Sequence, residues 1–159
     1  MQQKETLNTT GLPNIPGVPQ VGRILAVDPG TKRVGIAVSD EKRIIATPLP
    51  AIARTSWKKL LSEIQSVIAE YDAAAIVVGL PLNTDGTESF MSSEARDMAR
   101  KLTLSLSIPV LLQDERVTSY EARKRLWDRG VELEKTKQLV DSEAASIILT
   151  DFMDRLEAI

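Results

Sequence analysis

With 159 residues, 43% of them hydrophobic, the chain is long enough to bury one good core and too short for two large lobes. It contains no cysteine and no histidine, which excludes disulfides, thiolate metal sites, Ser-His-Asp triads and His-ligated zinc, so any acid–base or metal chemistry must run on Asp, Glu, Lys or Tyr. The formal net charge of −2 gives no overall basic excess of the kind that replaces counterions around nucleic-acid phosphates, and leaves that task to local patches.

The first twenty residues, MQQKETLNTTGLPNIPGVPQ, have neither the basic start nor the apolar centre of a signal peptide. Their Pro, Gly, Asn and Thr content predicts a disordered or loosely attached tail over 1–20, ahead of a single domain over 21–159. RILAVD (23–28) reads as a buried strand. VGIAVS (34–39) reads as a second, with Gly35 and Ala37 small enough for close backbone approach, and RIIATP (43–48) as a third, ended by Pro48. The short links between them predict an antiparallel meander.

The periodicity then changes. After a cap at Thr55 or Ser56, Trp57, Leu60, Leu61, Ile64, Val67, Ile68 and Tyr71 fall at helical spacing. AAIVVGLP (74–81) is a buried strand, the loop LNTDGTES leads into a helix reaching about Leu106, and IPVLLQD (108–114) is another buried strand. Thr118 with Glu121 makes a capping box for a helix ending near Gly130, and a long helix closes the chain from Glu134. The order predicts an α/β fold: a mixed five-stranded sheet, three strands antiparallel and the rest parallel, flanked by helices. No apolar run approaches the ~20 residues that span a bilayer, so the expectation is a cytoplasmic protein with no membrane partner.

Candidate functional residues gather where α/β sheets place their chemistry, at the carboxyl ends of strands. Asp28 ends the first strand, Gly79-Leu80-Pro81 the fourth and Asp114-Glu115 the fifth, which in a mixed sheet can lie two places from the first. Asp141 is in helical phase with Ala145, Ile148 and Phe152, the stripe that would face the sheet. An acid on such a stripe needs a partner or a metal. Asp28, Glu115 (or Asp114) and Asp141 would repel one another if they converged, and a hard divalent cation, Mg²⁺ by preference, relieves that repulsion. Two such ions ~4 Å apart activate a water and stabilise the leaving oxygen of a phosphodiester without a histidine. The plainer readings are that Asp28 starts a turn before Pro-Gly and that Asp141 pairs with Lys137.

Basic charge is concentrated rather than spread. Residues 116–137, including Arg116 and Arg123, carry seven cations against four acids. With Lys32 and Arg33 just after the first acid, they form a candidate phosphate track. Aromatic residues are too few for a base-stacking platform, so shape and backbone are the expected readout.

Four blocks, LAVDPGTKRVGIAVSD, VVGLPLNTDGTES, VLLQDERVTSYEARKRL and VDSEAASIILTDFMD, resemble in order and spacing those of the YqgF/RuvX-like group, Holliday-junction-resolvase-like proteins described as pre-16S rRNA nucleases. The resemblance covers roughly 22–156. It implies a ribonuclease-H-like fold, Mg²⁺- or Mn²⁺-dependent phosphodiester hydrolysis with Asp28, Glu115 and Asp141 as catalytic and metal-binding acids, and a nucleic-acid partner. That partner is structured pre-rRNA in 5′-end processing of 16S rRNA, or branched DNA in recombination, where a homodimer would suit a two-fold junction. Gln113 stands where the group often has an aromatic, and the tail before Val21 has no counterpart. A non-catalytic RNA- or ribosome-binding module is the rival reading, and it predicts that the acids can be replaced without loss of function.

Overall fold

The computed structural model describes the backbone of residues 17–115 and 133–157, and the side chains of 17–115 and 142–157. Strands β1 (Arg23–Pro29), β2 (Arg33–Ser39), β3 (Ala46–Ala53), β4 (Ala73–Leu80) and β5 (Val110–Asp114) form one sheet in the order β3-β2-β1-β4-β5. The β1/β2 and β2/β3 pairs are antiparallel, while β1/β4 and β4/β5 are parallel. Helices α1 (Trp57–Tyr71) and α2 (Phe90–Ser105) cover one face and α3 (Leu133–Glu157) crosses all five strands on the other. This is the mixed, helix-flanked sheet that the hydrophobic runs predict. The expected capping box at Thr118 and Glu121 and its helix lie outside the described residues.

The two faces of the sheet differ in side-chain size. Toward α1 and α2 it presents Leu25, Val27, Ile36, Val38, Ile76, Val78, Leu80 and Leu112, packed on Leu60, Ile64, Met98 and Leu102. Toward α3 it presents mainly small residues, Ala26, Ala37 and Ala75 with Ile24, Val77 and Leu111, packed on Ala145, Ile148, Leu149 and Phe152. Small residues on a strand face let a single long helix settle close to the sheet. The half-buried Val18 also joins this second cluster, so packing against the domain starts upstream of Val21.

Local chemistry sets the element ends. Ser56 caps α1 by accepting from the Lys59 amide at 3.2 Å, and Asp72 closes it in the left-handed region. Ser89 and Ser92 form a reciprocal capping box at the start of α2, and the Ser89 hydroxyl donates to the Pro81 carbonyl at 2.6 Å, tying that start to the exit of β4.

One strand is displaced from its sequence expectation. Residues 43–45 are not the start of β3, because the Asp40 carboxylate accepts from the Ile44 and Ile45 amides at 2.7 and 2.8 Å and holds the segment as a turn. Nor does Pro48 end the strand. β3 is an edge strand, where a missing N–H need not break a ladder, and the register shift opposite Val34–Ile36 accommodates the second proline, Pro50. Among the described residues no helix is long and apolar enough to cross a membrane.

Candidate active site

Three parallel strands end along one rim. Val27 pairs with Val78, and Gly79 pairs with Gln113, which sets Asp28, Gly79 and Gln113 in one transverse row. Alternation along each strand assigns this row to the α3 face, since Ala26, Val77 and Leu111, two residues earlier, all pack with α3. The half-buried Asp28 confirms it. Its Oδ1 lies 3.9 Å from the point that a Cβ on Gly79 would occupy, and Ile148 Cδ1 of α3 lies 2.3 Å from the same point. Gly79 therefore leaves the space in which an α3 side chain sits beside the carboxylate.

Glu115 follows two residues after Gln113 and is only 8% exposed. Its amide donates to the Leu80 carbonyl at 3.0 Å, which anchors it to the end of β4, and its Oε2 accepts from Gln113 Nε2 at 3.4 Å. The two side chains thus lie on the same side, the side of Asp28. Asp114 pairs in register with Leu80 at the end of β4. Burial lowers the basicity of the Arg155 guanidinium, and the charge of Asp114 opposes that shift. Glu115 is joined to the row of Asp28 through Gln113, and Asp114 acts on Arg155 of α3.

Asp141 lies in α3, two helical turns before Ile148, and its side chain lies outside the described residues. The stripe to which the sequence assigns it is buried on the sheet at Ala145, Ile148 and Phe152. Among the described residues no three acidic side chains form a ready cluster. Strands ~4.8 Å apart put the Asp28 and Gln113 backbones about 10 Å apart. Among the described residues, the side chains of Asp28, Asp114, Glu115 and Gln113 at this rim all offer oxygen, and the buried Gln113 Oε1 accepts no hydrogen bond. Such a donor set fits a hard divalent cation.

Beside Asp28 opens a cleft of about 330 Å³, lined by Asp28, the turn residues 29–33, Pro81 and Met91. Lys32 and Arg33 bring positive charge to its wall, next to the acid, as the sequence suggests. Arg116 and Arg123 lie outside the described residues. The sequence singles out Gln113 only as a departure from an expected aromatic, and does not single out Arg54. Gln113, two positions before Glu115 on one strand face, is accessible to a period-two reading. Arg54, at the end of β3, donates to the Gly30 carbonyl at 2.8 Å and to Glu94 at 3.1 Å, and nothing local in the sequence signals it.

Comparison with known proteins places this geometry in context. The family model RuvX, Holliday junction resolvase, matches residues 22–155. A protein of Anaeromyxobacter sp. (strain K) named "Putative pre-16S rRNA nuclease" is 42% identical over 133 residues, 84% of this chain and 97% of that protein. A protein of the same name from Syntrophus aciditrophicus (strain SB) is 40% identical over 134 residues, 84% of this chain and 89% of its own length. Among solved structures, T. thermophilus RuvC in complex with Holliday junction substrate superposes with a TM-score of 0.51 at 17% identity, over 84% of this chain and 96% of that one. At that identity the likeness bears on the fold, which is the ribonuclease-H-like arrangement of sheet and helices.

Proposed function

The chain belongs to the RuvX (Holliday junction resolvase) family, and from that premise we propose that it is a divalent-metal-dependent nuclease that hydrolyses phosphodiester bonds at the 5′ end of pre-16S rRNA. The observation that supports this reading is Asp28 in a cleft walled by Lys32 and Arg33, with Glu115 hydrogen-bonded to Gln113 of the same transverse row of the sheet. The name borne by the relatives supports the choice of pre-16S rRNA as substrate.

Asp28, Glu115 and Asp141 would hold Mg²⁺ or Mn²⁺, with Gln113 orienting Glu115 through its amide. Bound there, such cations supply an activated water and charge neutralisation at the leaving oxygen. Lys32 and Arg33 attract and orient the phosphate backbone without reading sequence. The buried, hydrogen-bonded setting of Glu115 fixes its direction before substrate arrives, which lowers the reorganisation left for the reaction itself.

The test is cleavage of a 5′-extended 16S rRNA transcript and of a four-way DNA junction by purified protein, with Mg²⁺, Mn²⁺ or chelator, beside Asp28→Asn. The reading expects metal-dependent cleavage of the transcript in preference to the junction, lowered roughly a hundredfold or more by the substitution. Preference for the junction would move the substrate to branched DNA. Cleavage that survives chelator or Asp28→Asn would overturn the mechanism, and binding without cleavage in the wild type would favour a non-catalytic module.

A further inference from the structure

The hairpin that carries Asp28 is closed by one backbone bond, from the Gly30 amide to the Arg33 carbonyl at 3.0 Å, across Thr31 and Lys32. Two-residue hairpins ordinarily use type I′ or II′ turns, which need a positive φ at the first central residue. Neither Thr31 nor Lys32 has one, since Arg43 and Asp72 are the only non-glycine residues with positive φ among those described. The approach is also tight, because a Cβ on Gly30 would lie 2.4 Å from the Arg33 carbonyl oxygen. This turn is not of the kind that matches strand twist unaided.

Arg54 supplies the missing support from outside the hairpin. Its amide donates to the Lys32 carbonyl at 2.9 Å. Its Nη1 donates to the Gly30 carbonyl at 2.8 Å, and its Nη2 to Glu94 Oε1 on α2 at 3.1 Å. One residue thus takes two carbonyls of the turn and ties them to a helix of the opposite layer. Arg54 is three-quarters buried, its charge is met by Glu94, and it does not line the cleft, so its fork is spent inside the protein.

We infer that Arg54 is a positioning residue for this site: through Gly30 and Glu94 it fixes the Asp28–Arg33 hairpin against α2, and so sets the spacing between the acid and the phosphate-binding cations Lys32 and Arg33. The inference rests on the reading of this cleft as the substrate site. Lysine is a poor substitute, because a single ammonium cannot span both acceptors in the planar geometry of the guanidinium fork.

The experiment compares Arg54→Ala, Arg54→Lys and Glu94→Gln with wild type in steady-state cleavage, in the salt dependence of binding to the 5′-extended transcript without metal, and in amide hydrogen exchange. Arg54→Ala is expected to lose roughly ten- to a hundredfold in kcat/KM through both a higher KM and a lower kcat. Its salt slope stays unchanged, and the Gly30 amide exchanges at least about tenfold faster while core amides of β4 keep their protection. Arg54→Lys falls between Arg54→Ala and wild type, and Glu94→Gln, which keeps a neutral acceptor, stays closer to wild type. A salt slope reduced by about one would make Arg54 a direct phosphate contact and overturn the inference. So would wild-type cleavage by Arg54→Ala, a fall in kcat alone in proportion to folded protein, or unchanged Gly30 exchange. If the wild type does not cleave, the nuclease reading fails, and the exchange comparison still decides the clamp.

Discussion

Gly79 is where packing and chemistry meet, and alanine there tests the placement of α3 over the acidic rim. The added Cβ would lie 2.3 Å from Ile148 Cδ1 and 3.2 Å from Cγ1, against an optimum of roughly 3.5–4.0 Å for carbon pairs. Asp28 Oδ1, at 3.9 Å from the same point, is in ordinary contact, so the cost is one of packing against the helix. Ile148 is 1% exposed and walled in by Ala145, Leu149 and Phe152, so turning Cδ1 aside must displace neighbours in a close-packed layer. Overpacking of this kind costs about 1–3 kcal/mol, and a loss of about 2 kcal/mol lowers Tm by roughly 4–8 °C at this chain length. Ile148→Val removes the worst contact and by itself costs about 0.5–1.5 kcal/mol. In urea denaturation the double variant should therefore lose at least about 1 kcal/mol less than the sum of the single losses. Additivity within about 0.5 kcal/mol would refute the reasoning, since it would mean that the two side chains do not compete for one space.

Three further outcomes are expected. Ser142→Ala removes the hydroxyl that donates from α3 to the Leu49 carbonyl of the edge strand, and should cost about 1–2 kcal/mol in the same denaturation assay. The Ile45 amide and, less strongly, the Ile44 amide hold the Asp40 carboxyl below its ordinary value of 3.8, against a partial opposing effect of desolvation. Its contribution is thus fully present above that value and lost as pH falls through the lowered folded one, so the stability gap between wild type and Asp40→Asn should close as pH falls below the ordinary value. Lys32→Ala and Arg33→Ala should each weaken transcript binding and reduce its salt slope by about one, in contrast to Arg54→Ala.

Much of the fold was legible because its causes are local. Continuous apolar runs gave the buried strands, the Ser56 cap gave the start of α1, and the stripe of Ala145, Ile148 and Phe152 gave the sheet-facing side of α3. The bounds of β3 were not legible. Its two prolines are tolerated only because the topology makes it an edge, and its start is set by backbone amides donating to the Asp40 carboxylate, which composition does not reveal. At the site, the acids at strand ends followed from the general rule for α/β sheets. The preference for Glu115 over Asp114 draws on the Gln113 hydrogen bond, which the sequence does not show. Arg54 joins Gly30 to Glu94 across three elements, a tertiary contact with no periodic trace in the sequence.

The central claim is that acids on one rim, Asp28 and Glu115 with Asp141 from α3, hold divalent cations for phosphodiester hydrolysis. Titration of Mn²⁺ into wild type, Asp28→Asn, Glu115→Gln, Asp141→Asn and Asp114→Asn measures it directly. The first three substitutions should each weaken binding by at least about tenfold, and Asp114→Asn should leave it within about twofold of wild type. Equal binding by wild type and Asp28→Asn, or a loss confined to Asp114→Asn, would contradict it.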